Sequence, residues 1–264
     1  MPARPEHSRP RERARRLDSS APPPLPDDVT ADQLDPEVRR GLRSLSKDRA
    51  DEVARHLVQA GRLLDDDPPA ALRHARAARS GGARIPSVRE AVGLAAYAAG
   101  EWAEALSELR TYRRMTGDVE HLALIADAQR GLGRPAKALE VLDEPQIERM
   151  PAAARIELLL VASGAYRDLG RPDEAVDVLS VRELDSPSVR PETARLWYGY
   201  ADALLAAGRR EQAVQWFEAV AGADNDQTDA ADRLAALGAG VGVRLFEPDD
   251  EAASHPLSEP SVDS

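Results

Sequence analysis

Ala165-Tyr166-Arg167-Asp168-Leu169-Gly170-Arg171-Pro172-Asp173-Glu174-Ala175-Val176 reads as a helix that stops and another that starts. Apolar residues at helical spacing end on Leu169. Gly170 offers a left-handed C-cap, and Pro172 suits the first turn of a new helix, where no backbone N–H is needed. The chain repeats the pattern at Asp127-Ala128-Gln129-Arg130-Gly131-Leu132-Gly133-Arg134-Pro135-Ala136-Lys137-Ala138-Leu139. Both stretches predict two antiparallel helices joined by a tight turn.

Asp66, Gly100, Gly133, Gly170 and Gly208 mark successive turns, at intervals of 34, 33, 37 and 38 residues. Such a period belongs to helical solenoids, in which each hairpin hides its apolar side against its neighbours. An alanine lies five residues before each glycine turn (Ala95, Ala128, Ala165, Ala203) and another five after it (Ala105, Ala138, Ala175, Ala213). Small residues at mirrored distances let two helix backbones approach closely. In the first unit the corresponding pair is Gly61 and Ala71.

The spacing predicts an all-α chain with ten helices in five pairs over residues 48–222. Val53, Leu57, Ala60 and Leu64 stripe the first helix, and Ala71, Leu72, Ala75 and Ala78 the second. Pro86, Pro151 and Pro191 open the third, seventh and ninth; Trp102, Ala105, Leu106 and Leu109 mark the fourth, ending near Gly117. Residues 30–47 read as an N-terminal capping helix, opened by a capping box at Thr30–Gln33 or by Asp35-Pro36, with Val38, Leu42 and Leu45 on one face. Residues 223–241 read as a C-terminal capping helix. The flanks, 1–29 rich in Arg and Pro and 242–264 acidic, bury too little apolar area to offset ordering entropy and read as disordered.

Composition narrows the function. Aromatics are 4% of the chain and cysteine is absent, which excludes disulfides, thiolate nucleophiles and Cys-type zinc sites. Lys47 and Lys137 are the only lysines, an Arg bias read as that of a GC-rich bacterial genome. A net charge of −11 argues against a nucleic-acid binder. No apolar run approaches membrane-spanning length, and the N-terminal arginines lead into Pro-rich polar sequence rather than an apolar signal segment, so a cytoplasmic location with no membrane contact is expected.

The paired alanines around the turn glycine resemble the tetratricopeptide repeat family. The clearest segments are Gly93-Leu94-Ala95-Ala96-Tyr97-Ala98-Ala99-Gly100-Glu101-Trp102-Ala103-Glu104-Ala105-Leu106 and Tyr200-Ala201-Asp202-Ala203-Leu204-Leu205-Ala206-Ala207-Gly208-Arg209-Arg210-Glu211-Gln212-Ala213-Val214. Trp197, Tyr166 and Phe217 fall at aromatic positions of that pattern. The resemblance covers roughly residues 50–222, with two intervals above 34, no turn glycine in the first unit and a repeat-ending proline only at Pro187. It implies a right-handed superhelix whose concave groove binds a peptide or helix of a partner protein, without chemistry of its own.

In such hairpins the first helix lines the inner face, and residues ten, six and three before the turn share one stripe. That stripe reads Glu90, Leu94, Tyr97; Ala123, Asp127, Arg130; Leu160, Gly164, Arg167; and Tyr198, Asp202, Leu205. Arg130 and Arg167 occupy equivalent places in adjacent units, where two guanidinium forks would suit a partner's carboxylate. The alternative is that Asp127 and Arg130 merely pair within their helix. Candidate partner-binding residues are therefore Tyr97, Asp127, Arg130, Arg167, Tyr198 and Asp202. Trp197 and Phe217 fall on the packing stripe, Tyr198 is expected to face the groove, and Trp216 fits either side.

Enzymatic readings find little support. His7, His56, His74, His121 and His255 include no i, i+4 pair, and His56 with His74 across the first hairpin would lack a third ligand. Gly131–Lys137 is repeat turn rather than a phosphate loop, and the glycines at 238, 240 and 242 follow no strand. No catalytic residue, metal or cofactor is expected. The leading function is a non-enzymatic scaffold for an unidentified protein partner. The alternative is an RNA- or ribosome-associated factor using the Arg4–Arg16 arm, whose binding would fall steeply with salt.

Overall fold

The structure is a computed structural model, and it describes residues 22–186, 190–223 and 228–238. The expected arm up to residue 21, Pro187, and the tail from residue 239 lie outside the described residues. Within them the protein is all-α, with twelve α-helices packed in sequence as pairs and no strand. The chain divides after Val178 into two compact units.

The first unit opens with a 3-10 turn, Ala31–Gln33, in which the Thr30–Gln33 capping box is present. Asp35 then caps α1 (Pro36–Gly41), its carboxylate accepting from the Glu37 and Val38 amides. Leu42, as expected, is fully buried, in a cluster with Val53, Leu57 and Ile85. The ordered chain begins before residue 30: Val29 is fully buried, its carbonyl accepts from Arg55 Nε at 2.8 Å, and Asp28 meets Arg62 at 2.7 Å. The Pro-rich composition hid this, because one apolar residue and one acid suffice to anchor the turn at Asp27-Asp28, closed by Val29 N–H to Pro26 O at 3.1 Å.

Four pairs follow. They are α2 (Lys47–Leu63) with α3 (Pro68–Gly82), α4 (Pro86–Ala98) with α5 (Trp102–Thr116), α6 (Leu122–Gly131) with α7 (Pro135–Leu139), and α8 (Ala152–Asp168) with α9 (Pro172–Asp177). The second unit holds α10 (Pro191–Ala206), α11 (Arg210–Ala221) and α12 (Ala230–Ala236).

The turn glycines act as read. Gly100, Gly133, Gly170 and Gly208 all have φ between 70° and 74°. At each, the next amide reaches back five residues, as Arg171 N–H to Tyr166 O at 2.9 Å, so the orphan carbonyls of the finished helix are satisfied. All eight mirrored alanines are at most 1% exposed. The first pair differs from expectation: Gly61 is exposed with nothing near its missing Cβ, and Ala60 is the small buried residue facing Ala71. Its turn, Leu64–Asp67, contains no glycine, and the small buried residue sits one position earlier than the spacing predicts.

The core is a series of seams, not one centre. Ala60, Ala75, Val92 and Ala105 join the first two pairs; Leu106, Leu109, Ile125 and Ala128 join the second to the third; Leu122, Ala138, Leu158 and Ala165 join the third to the fourth. Burial of this kind, at about 25 cal/mol per Å², stabilises a hairpin only while its neighbour is in place.

Candidate functional site

The first helices of consecutive pairs in the first unit carry a polar chain along their predicted inner stripe. Tyr97 on α4 donates its hydroxyl to Asp127 Oδ2 on α6 at 2.7 Å. Asp127 Oδ1 accepts from Arg130 Nη1 at 2.8 Å, and Arg130 Nε reaches Asp168 Oδ2 on α8 at 2.8 Å. Three helices are thereby tied through four side chains. Tyr97 is held edge-on against Trp102, with ring centroids 5.3 Å apart.

Gly164 makes room for this arrangement. A Cβ there would stand 2.5 Å from Arg130 Cζ, so the guanidinium lies flat on bare backbone of α8. Burial alone would lower the Arg130 pKa; the hydrogen bonds and charges of Asp168 and Asp127 outweigh it and raise it. Burial first, and then the Asp127 acceptor, push the Tyr97 phenol well above its usual range. Because these groups are partly exposed, each charged contact contributes about 0.5–1 kcal/mol. Nη2 of Arg130 makes no hydrogen bond with any described residue.

Glu90, higher on the same stripe, meets His121 Nε2 at 2.7 Å, and that hydrogen bond raises the imidazole pKa against the opposing effect of burial. Arg167 is exposed at the end of α8. The group that meets Arg130 from that helix is the neighbouring Asp168, and the Asp127–Arg130 pairing weighed as an alternative is present.

The second unit repeats the theme. Tyr198 on α10 donates to Asp229 Oδ1 at 2.5 Å, and Asp202 pairs with Arg233. Asp229 occupies the N-cap position of α12 and Arg233 lies within it, 5.3 Å over the Phe217 ring. Tyr198 meets the residue 31 positions on and Tyr97 the residue 30 positions on, so each tyrosine reaches about one repeat ahead. Gly238 after it has φ 66°, like the other turn glycines. Burial, followed by the Asp229 acceptor, pushes the Tyr198 phenol up to about 12. Phe217 is fully buried, as expected. Trp197 is only half-buried, with Nε1 donating to Leu184 O at 3.0 Å, because the indole N–H must find an acceptor. Trp216 packs 5.3 Å edge-on to Tyr200.

Sequence spacing placed Tyr97, Asp127 and Arg130 on one stripe, and the structure joins them. It missed Asp168, Asp229 and Arg233, which lie off the ten-six-three spacing, and Gly164 was read for position without its packing role. Chemically the stripe offers hydrogen-bond donors, acceptors and one partly open guanidinium. Among the described residues no three His, Asp or Glu side chains gather as a metal site, and no helix is long and apolar enough to cross a membrane.

Residues 160–230, from within α8 to the first residue of α12, match the tetratricopeptide repeat family. That repeat is in general a scaffold for protein–protein contact. No curated protein matches the chain.

Proposed function

From the tetratricopeptide match over residues 160–230, we propose that this chain is a non-enzymatic scaffold that binds a peptide or helix of a partner protein along its first-helix stripes. Tyr97, Asp127, Arg130 and Arg167 contribute in the first unit, and Tyr198 and Asp202 in the second. The observation that carries the reading is Arg130. Two carboxylates and the face of Gly164 fix its guanidinium, yet Nη2 keeps its donors unspent among the described residues. A donor already immobilised loses little entropy on receiving a partner's carboxylate or backbone carbonyl.

Affinity capture from the native host with full-length protein tests this, followed by titration of the purified partner. Arg130→Ala/Arg167→Ala and Tyr198→Ala should each weaken the partner at least tenfold while the helical signal is retained. A partner that binds both variants as well as the parent contradicts the reading. So does binding that disappears only when the 1–21 segment is removed.

A further inference from the structure

In the later pairs the stripe falls five residues before, one before and two after the small alanine of the first helix, as Ala123, Asp127 and Arg130 do around Ala128. The same count from Ala60 gives Arg55, Gln59 and Arg62 on α2. Arg62 therefore corresponds to Arg130. Arg130 meets Asp168, an acid of the next first helix, whereas Arg62 meets Asp28, which precedes every helix of the chain. Arg55 Nε donates to Val29 O, and the Val29 side chain is fully buried. The chain's own Pro26–Val29 turn thus lies on the first-pair end of the stripe. We propose that this turn is an autoinhibitory plug, displaced from α2 by an acidic turn peptide of a partner protein that carries an aliphatic residue directly after its acid.

The plug is self-contained and lightly held. Its turn is closed within itself, by Val29 N–H to Pro26 O. Its hold on α2 is one aliphatic side chain, one carbonyl contact and one ion pair, in which the Asp28 side chain is 70% and that of Arg62 41% exposed. An ion pair that open to water contributes little. The residues after the plug are fixed independently. Ala31 and Leu34 pack on the Leu42 cluster, and Asp35 caps α1. The turn can therefore leave α2 while its tether and α1 stay folded.

The fit is also incomplete. Gln59 lies between Arg55 and Arg62, four residues after one and three before the other, on the same face of α2. Its Oε1 is buried and accepts no hydrogen bond from any described residue. A buried acceptor left unpaired disfavours the plugged state against one in which a ligand donates to it. The two arginines select a carboxylate and a carbonyl, the place of Val29 selects an aliphatic side chain, and Gln59 selects an N–H donor that the plug does not supply. A partner peptide with all four features outcompetes the plug.

This inference rests on the stripe reading but fails separately from it. The stripe reading fails when a captured partner ignores Arg130→Ala/Arg167→Ala; the plug fails on Asp28, Val29 and Arg62, which that variant leaves untouched. The test uses the full chain and a fluorescein-labelled peptide of residues 24–34, followed by anisotropy. In the parent the tethered turn competes at high effective concentration, so the probe binds poorly. Asp28→Lys and Val29→Ser should each tighten the probe about tenfold or more, because each raises the fraction of open sites. Arg62→Gln added to Asp28→Lys should abolish that gain, and a probe carrying Asp28→Lys and Val29→Ser should not bind. If Val29→Ser loses helical signal, the exposed Asp28→Lys decides. Equal binding by parent and Asp28→Lys would show a fixed cap and overturn the plug. Absence of binding by either chain, or a gain that survives Arg62→Gln, would overturn it too.

Discussion

At the scale of single residues, the account turns on where side chains are missing. Gly93 on α4 has Leu109 Cδ2 2.6 Å and Leu109 N 3.3 Å from the position of its absent Cβ. An alanine would gain about 1 kcal/mol of helix propensity, yet the backbone contact means that α4 and α5 must separate to admit it. Overpacking outweighs the gain, so Gly93→Ala should destabilise the protein by about 1–2 kcal/mol net in chemical denaturation. A neutral or stabilising result would show that the helices are looser than described. The polar chain is a second case. Tyr97→Phe removes one hydrogen bond and should cost about 1 kcal/mol, with a smaller effect in an Asp127→Asn background if the two groups are coupled as the geometry requires. Spacing alone exposed Tyr97, Asp127 and Arg130, because helical periodicity fixes the face of a residue. It could not expose Asp168 or Gly164, since which neighbour an arginine reaches depends on how far apart two helices stand.

At the scale of elements, the first pair contains a buried histidine couple. His56 on α2 and His74 on α3 are nearly fully buried, with Nδ1 atoms 3.0 Å apart, so one ring donates to the other and both are neutral. Burial first, then the neighbouring His56 and Arg73, lower the His74 pKa to about 4, and burial lowers that of His56 against the raising effect of Glu52. The unfolded chain takes up these protons at about pH 6.5, before the folded one does. The stability this couple contributes is therefore complete above about pH 6.5 and is lost as pH falls toward 4, by an amount on the order of 2–3 kcal/mol. Denaturation at pH 7 and pH 5 should show a larger loss for the parent than for His74→Gln, and equal losses would rule the couple out as the cause. Sequence put these two histidines across one hairpin because the turn between them was legible. Less legible were the lengths of α7 and α9, only five and six residues. After α7 the chain tightens into a 3-10 turn and then reaches Pro145, which cannot continue a helix and keeps Glu144 extended. The intervals of 37 and 38 residues carried the hint, since the added residues fall after these shortened second helices.

At the scale of the whole molecule, each of these apolar seams of the first unit joins helical pairs adjacent in the chain, and the polar chain from Tyr97 to Asp168 joins the first helices of adjacent pairs. Stability in such an array is local plus nearest-neighbour, so damage should spread along the chain and fade with distance. That property is the premise of the stripe surfaces in the proposed function, because a stripe exists only where successive first helices are held in register. Hydrogen exchange of the full-length protein, parent against Gly93→Ala, tests it most directly. The account predicts lost amide protection in α3 to α6 and unchanged protection in α10 to α12. An equal loss of protection across all twelve helices would mean one cooperative core and would contradict it.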